Sequence, residues 1–126
     1  MNRKLILVID NDKSILEIIS IVLQDTGFNV VSSQAPDFSL LSTNIPDLII
    51  LDISPDNKQH RLFYDHIKVN GATAKIPVML TSTCNGLDKV ASNWNAECYL
   101  AKPFDIYGLA TLVNTHLNTG LPILTS

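Results

Sequence analysis

Three residues carry the chemistry available to this chain: Asp10, Asp52 and Lys102. Each stands where an apolar run stops, Asp10 after LILVI, Asp52 after LIIL and Lys102 after YLA. They lie 42 and then 50 positions apart. Runs that are apolar at successive positions suit strands covered on both faces, as in a parallel sheet. If these runs are parallel strands of one sheet, all three polar residues end at the same carboxyl edge. Two carboxylates in one cleft repel, so the cluster demands positive charge. Lys102 supplies one unit, and a divalent metal could supply the rest.

The elements that must position them alternate along the chain. Leu5 to Ile9 predicts a strand. Asp12 or Ser14 can cap a helix in which Ile15, Ile18, Ile19, Val22 and Leu23 recur at helical spacing until Gly27. Phe28 to Val31 predicts a short second strand, and Pro36-Asp37 opens a weak helix around Phe38 to Leu41. Asp47 to Leu51 reads as a buried third strand, followed by the turn residues Ser54-Pro55-Asp56-Asn57. A helix from about Gln59 to Val69 ends at Asn70-Gly71, and Ile76 to Leu80 gives a fourth strand. A short helix over Leu87 to Asn93 follows the Asn85-Gly86 loop. Glu97 to Ala101 is a fifth strand, and Ile106, Leu109, Ala110, Val113 and Leu117 mark a last helix with Asp105 as its cap. Alternating strands and helices indicate an α/β doubly wound parallel sheet of five strands, which binds ligands at the carboxyl ends of its strands.

The bulk numbers set bounds. With 126 residues the chain fits one domain, expected over 1–120, with a tail over 121–126 that shows no clear element. Apolar residues make up 46% and charged residues 17%, so the chain is globular. Net charge is −3 and no basic run extends beyond Arg3-Lys4, so direct nucleic-acid binding lacks an electrostatic footprint. Cys84 and Cys98 have no metal-type spacing and read as reduced thiols. The five-residue run at the start is too short for a secretion signal or a membrane span, which points to a cytoplasmic protein. His60, His66 and His116 show no ligand spacing and are expected on solvated helix faces, and Trp94 is expected to pack. No GxGxxG or phosphate-cradling loop supports a nucleotide site.

The series LILVID-ND, PDLIILD, IPVMLTS and YLAKPF resembles the receiver domain of bacterial two-component response regulators, over about residues 4 to 118. The resemblance implies a flavodoxin-like (βα)5 fold with strand order 2-1-3-4-5. It implies that Asp52 accepts a phosphoryl group from a histidine kinase or phosphotransfer protein. Asp10 and Asn11 then match the acidic pair that holds Mg²⁺, and the Ser54 carbonyl matches a further metal ligand. Lys102 matches the lysine that pairs with phosphoryl oxygens, and Pro103 the proline after it, usually reached through a cis peptide. Thr81 or Ser82 matches the hydroxyl residue at the end of strand four, and Tyr99 the aromatic that changes rotamer on activation. Such a domain is a signalling switch rather than a classical enzyme, although it can catalyse its own phosphoryl transfer and loss. Its helix 4–strand 5–helix 5 surface is the usual output face and the candidate homodimer face.

Two departures touch the metal site. The second position of the acidic pair is Asn11, which offers a neutral carbonyl oxygen, with Asp12 one residue later. After Asp52 the family places a proline four residues on and then a glycine; here Pro55 comes three residues on and no glycine precedes Gly71. These departures support a rival reading, a degenerate receiver that acts as a protein-interaction module without phosphorylation. A flavodoxin-like cofactor binder is the third reading, disfavoured by acidic residues where a phosphate would need donors. No output domain is recognisable after Leu117, which leaves a stand-alone regulator or a receiver cut from a longer protein.

Overall fold

The computed structural model describes residues 3–43, 45–96 and 98–119; the tail expected over 121–126 lies outside them. Five strands alternate with five helices: β1 (Leu5–Ile9), α1 (Lys13–Thr26), β2 (Asn29–Ser33), α2 (Ser39–Thr43), β3 (Leu48–Asp52), α3 (Lys58–Val69), β4 (Val78–Ser82), α4 (Leu87–Asn93), β5 (Cys98–Ala101) and α5 (Ile106–Thr119). The strands form one parallel sheet in the order β2-β1-β3-β4-β5. The doubly wound expectation and its strand order hold.

Period-two alternation splits the core into two layers. Ile6, Val8, Leu48, Ile50, Met79 and Cys98 face α1 and α5, meeting Leu16, Ile19, Leu23, Leu109 and Val113. Leu7, Ile9, Ile49, Leu51, Val78 and Leu80 face the other way, onto Leu41, Phe63, Ile67, Leu87 and Trp94. Both faces are therefore covered, which is why the strands read as unbroken apolar runs.

The local signals account for most boundaries. Asp12 caps α1 by accepting from Ser14 and Ile15 backbone N–H groups. Gly27 ends that helix at φ 112°, a left-handed conformation that glycine adopts without Cβ strain. Asn57 caps α3 in the same manner as Asp12. Asp105 accepts from the Tyr107 N–H at the start of α5.

Several expectations need correction. β4 begins at Val78 and runs to Ser82, two residues later than read, because Ile76 donates its N–H to Thr73 in a turn and Pro77 has none to give. β2 likewise extends to Ser33 and α2 is shifted to Ser39–Thr43. Ile18 is 48% exposed rather than core, since α1 buries only the stripe of Leu16, Ile19, Val22 and Leu23. His66 does not stand in solvent alone: its ring meets the Phe38 ring edge-on at 4.8 Å. Trp94, by contrast, packs as expected: it is buried against Tyr64 and covered by the Arg61 guanidinium.

Candidate functional site

The sheet's ladder carries on one residue past the strands and fixes the site's backbone. Asp10 N–H donates to the Ser33 carbonyl, Ile53 N–H to Thr81 and Lys102 N–H to Ser82. Asp10, Asp52 and Lys102 thus stand on three strands of the same carboxyl edge, brought together by the order β1-β3-β4-β5. The Lys102–Pro103 peptide is cis.

Lys102 Nζ bridges the two acids. It lies 2.6 Å from Asp10 Oδ2 and 3.1 Å from Asp52 Oδ1. Asp10 is 2% exposed, and its other oxygen accepts from the Asp12 N–H at 2.9 Å. Asp52 keeps 15% of its side chain exposed at the mouth of the cleft. One ammonium against two carboxylates leaves the cluster a unit of uncompensated negative charge.

The protonation behaviour follows. Burial raises the Asp52 pKa above the usual carboxylate value, and the neighbouring Asp10 charge adds to this; Lys102 and His60 oppose without cancelling it. Burial alone would lower the Lys102 ammonium, but its hydrogen bond to Asp10 and the Asp52 charge outweigh that, so its pKa is raised.

Register separates the two candidate hydroxyls. Thr81 pairs with Asp52 across the β3–β4 ladder and shares its face, so Thr81 Oγ1 reaches Asp52 Oδ1 at 3.4 Å. Ser82 points to the opposite face, where its hydroxyl accepts from the Cys84 N–H. Tyr99 shares the Ser82 side of the sheet. It lines a surface groove of about 460 Å³ with Thr83 to Asp88, Ala101 and Lys102.

The remaining candidates are more peripheral. Asn11 is exposed, and its backbone carbonyl accepts from Gln34 Nε2 at 3.3 Å. The Asp12 carboxylate stands outside the Lys102 contacts: it is exposed, and its Oδ1 caps α1. Ser54 is exposed, and its carbonyl accepts from the Asn57 N–H at 2.9 Å, closing the turn after β3.

One site neighbour escaped the sequence reading. His60, expected on a solvated face, is half-buried, and its Nδ1 accepts the Ser54 N–H at 2.9 Å. Burial pushes the imidazole below its ordinary pKa while Asp52 pulls the other way. The only available signal was its place six residues after Ser54, in the first turn of the next helix.

Mg²⁺ fits this donor set. Hard divalent cations take oxygen ligands, and Mg²⁺ commonly binds through one or two carboxylates with several waters retained. Asp10 and Asp52 are such a pair, and both contacts at Asp52 fall on Oδ1, leaving Oδ2 to a further ligand. Among the described residues no group of three or more His, Cys, Asp or Glu side chains is arranged to hold a metal.

The chain is similar to known proteins in sequence and in fold. The chain is 34% identical over 103 residues to the phosphate regulon transcriptional regulatory protein PhoB of Escherichia coli, covering 79% of this chain and 45% of that protein. It is 31% identical over 119 residues to the DNA-binding response regulator MtrA of Mycolicibacterium smegmatis, covering 91% of this chain and 51% of that one. The chain is a response-regulator receiver domain. It spans about half the length of the curated relatives it matches. The chemotaxis protein CheY4 of Vibrio cholerae superposes with a TM-score of 0.78 over 90% of this chain and 98% of its own, at 20% identity, which marks a shared fold. No family model matches the chain. No helix among the described residues is long and apolar enough to cross a membrane.

Proposed function

We propose that this receiver domain accepts a phosphoryl group on Asp52 from the phosphohistidine of a histidine kinase or phosphotransfer protein. The observation that carries the reading is the Lys102 ammonium held against both Asp10 and Asp52, with the Thr81 hydroxyl on the same Asp52 oxygen. In the transfer, a carboxylate oxygen of Asp52 attacks phosphorus. The phosphorus–nitrogen bond of the donor breaks, and its electron pair stays on the imidazole, which takes up a proton. Nucleophile and phosphoryl group are both anionic, so their approach needs compensation. Asp10, Asp52, the Ser54 carbonyl and Asn11 would hold Mg²⁺, which when bound supplies charge neutralisation across carboxylate and phosphoryl oxygens.

Lys102 is the protein's own contribution to the same end. Its stem reaches the cleft from the β5 end, so its ammonium can follow a phosphoryl oxygen while still touching Asp10. Thr81 already faces Asp52 and can donate to a new phosphoryl oxygen. Movement of the β4–α4 loop that follows it would alter the groove in which Tyr99 lies. That groove belongs to the α4–β5–α5 side, proposed here as the partner-binding and dimer face.

A second reading keeps a specific observation in its favour. Asn11 is neutral and Asp12 is occupied as a helix cap, so the cation site is one acid poorer than the family's pair. A non-phosphorylating interaction module would follow from that. Incubation with Mg²⁺ and acetyl phosphate, followed by intact-mass measurement, separates the two. A gain of one phosphoryl that is lost in Asp52→Asn supports the switch. An unchanged mass in the wild-type chain supports the interaction module.

A further inference from the structure

The segment between Asp52 and α3 is held by an unusual set of bonds. It contains no glycine, and among the described residues the only non-glycine at positive φ is Asn95, which is not part of this loop. Its shape therefore comes from hydrogen bonds rather than from permissive backbone. The Asn57 N–H closes a turn onto the Ser54 carbonyl. The Asn57 side chain accepts from the Gln59 and His60 N–H groups and starts α3. That cap places His60 in the first helical turn, from which its Nδ1 reaches back to the Ser54 N–H at 2.9 Å. The three contacts form a closed circuit: Ser54 to Asn57, Asn57 to His60, His60 to Ser54. Ser54 is thereby gripped through both its amide and its carbonyl.

We infer that His60 is a positioning residue of the cation site, whose Nδ1 holds the Ser54 amide and so sets the backbone that presents the Ser54 carbonyl beside Asp52. The inference rests on the phosphoacceptor reading, because it concerns the ion that reading requires. His60 need not touch the ion. It acts through Ser54, as outer-shell partners of metal ligands do, and loss of such a partner typically weakens metal affinity about 10–100-fold. It also explains how a chain with Pro55 displaced and no glycine in the loop retains an ordered turn there: an imidazole latch takes over what a flexible backbone would otherwise provide.

The test compares wild type, His60→Ala and His60→Asn. Asn offers an oxygen close to the position of Nδ1, so it keeps the latch that Ala removes. Two quantities are read by NMR: hydrogen exchange of the Ser54 amide in chelator, and the Mg²⁺ dissociation constant from the shifts of the Asp10, Asp52 and Ser54 amides. The expected result is faster Ser54 exchange in His60→Ala, with Mg²⁺ affinity weakened about tenfold, and near-recovery of both in His60→Asn. Should His60→Ala fail to fold, His60→Gln replaces it, since its amide sits nearer the Nε2 position. Unchanged Mg²⁺ affinity in a folded His60→Ala overturns the inference. If wild type is phosphorylated in that case, the phosphoacceptor reading stands without it. A wild-type chain that takes up neither Mg²⁺ nor phosphoryl overturns both.

Discussion

Replacing Lys102 by Met keeps most of the apolar stem and removes the charge that joins the two acids. The oxygens that Nζ touches at 2.6 and 3.1 Å are at most about 5.7 Å apart, the sum of the two contacts. At that separation two unit charges repel by about 3 kcal/mol at an effective dielectric near 20. Removing one partner of a buried ionic cluster generally costs about 3–5 kcal/mol, because the remaining charge is uncompensated. Two features moderate the loss here. Asp52 is 15% exposed, and it already binds its proton more tightly than an ordinary carboxylate, so protonation relieves part of the repulsion. The expected loss in chelator at neutral pH is therefore about 2–3 kcal/mol, or about 1–2 M in urea midpoint. Millimolar Mg²⁺ should return about half of it, since the cation replaces the missing positive charge and no longer competes with Nζ for the carboxylates. Urea unfolding with and without chelator measures both effects. A loss under about 0.5 kcal/mol, or a loss that Mg²⁺ leaves untouched, would refute the view that these acids depend on one shared cation.

Three further outcomes follow from the same geometry. Asp52→Asn should stabilise the fold by about 0.5–2 kcal/mol. The raised Asp52 pKa means that the folded state binds this proton more tightly, a contribution complete below an unfolded pKa of about 3.9 and lost as pH rises through the higher folded value. The advantage of the Asn variant should therefore grow from acid toward neutral pH, read by thermal unfolding across that range. Thr81→Ala should slow phosphoryl uptake from acetyl phosphate about tenfold, the worth of one good hydrogen bond, whereas Ser82→Ala, on the opposite face of β4, should leave the rate within about twofold; time-resolved intact mass distinguishes them. Asp12→Ala should cost about 1 kcal/mol of stability through the lost α1 cap yet leave Mg²⁺ affinity unchanged, while Asn11→Asp should tighten Mg²⁺ binding, both read by unfolding and by titration calorimetry.

The sequence by itself determined the fold class and the principal trio. Asp10, Asp52 and Lys102 were legible because each is the polar stop of an apolar run, and such runs are the mark of strands buried on both faces of a parallel sheet, whose carboxyl ends share one edge. The stop of α1 at Gly27 belongs to the same category, being written in a local residue type at the helix end. Tertiary structure decided whatever depended on facing. Thr81 rather than Ser82 meets Asp52 because β4 starts after Pro77 and pairs Thr81 with Asp52; a register shifted by one would exchange them. Asp12 lies between helix and metal site in sequence, and only the folded backbone commits it to the helix. Ile18 has the residue type and spacing of core, but α1 presses a narrower stripe against the sheet. His60 carried no signal beyond its spacing from Ser54, since the bond between them exists only once turn, cap and helix have brought an imidazole back over the chain that precedes it. Period and composition report which way a strand or helix is buried. Which neighbour a polar side chain meets is settled by packing between segments that the linear chain keeps apart.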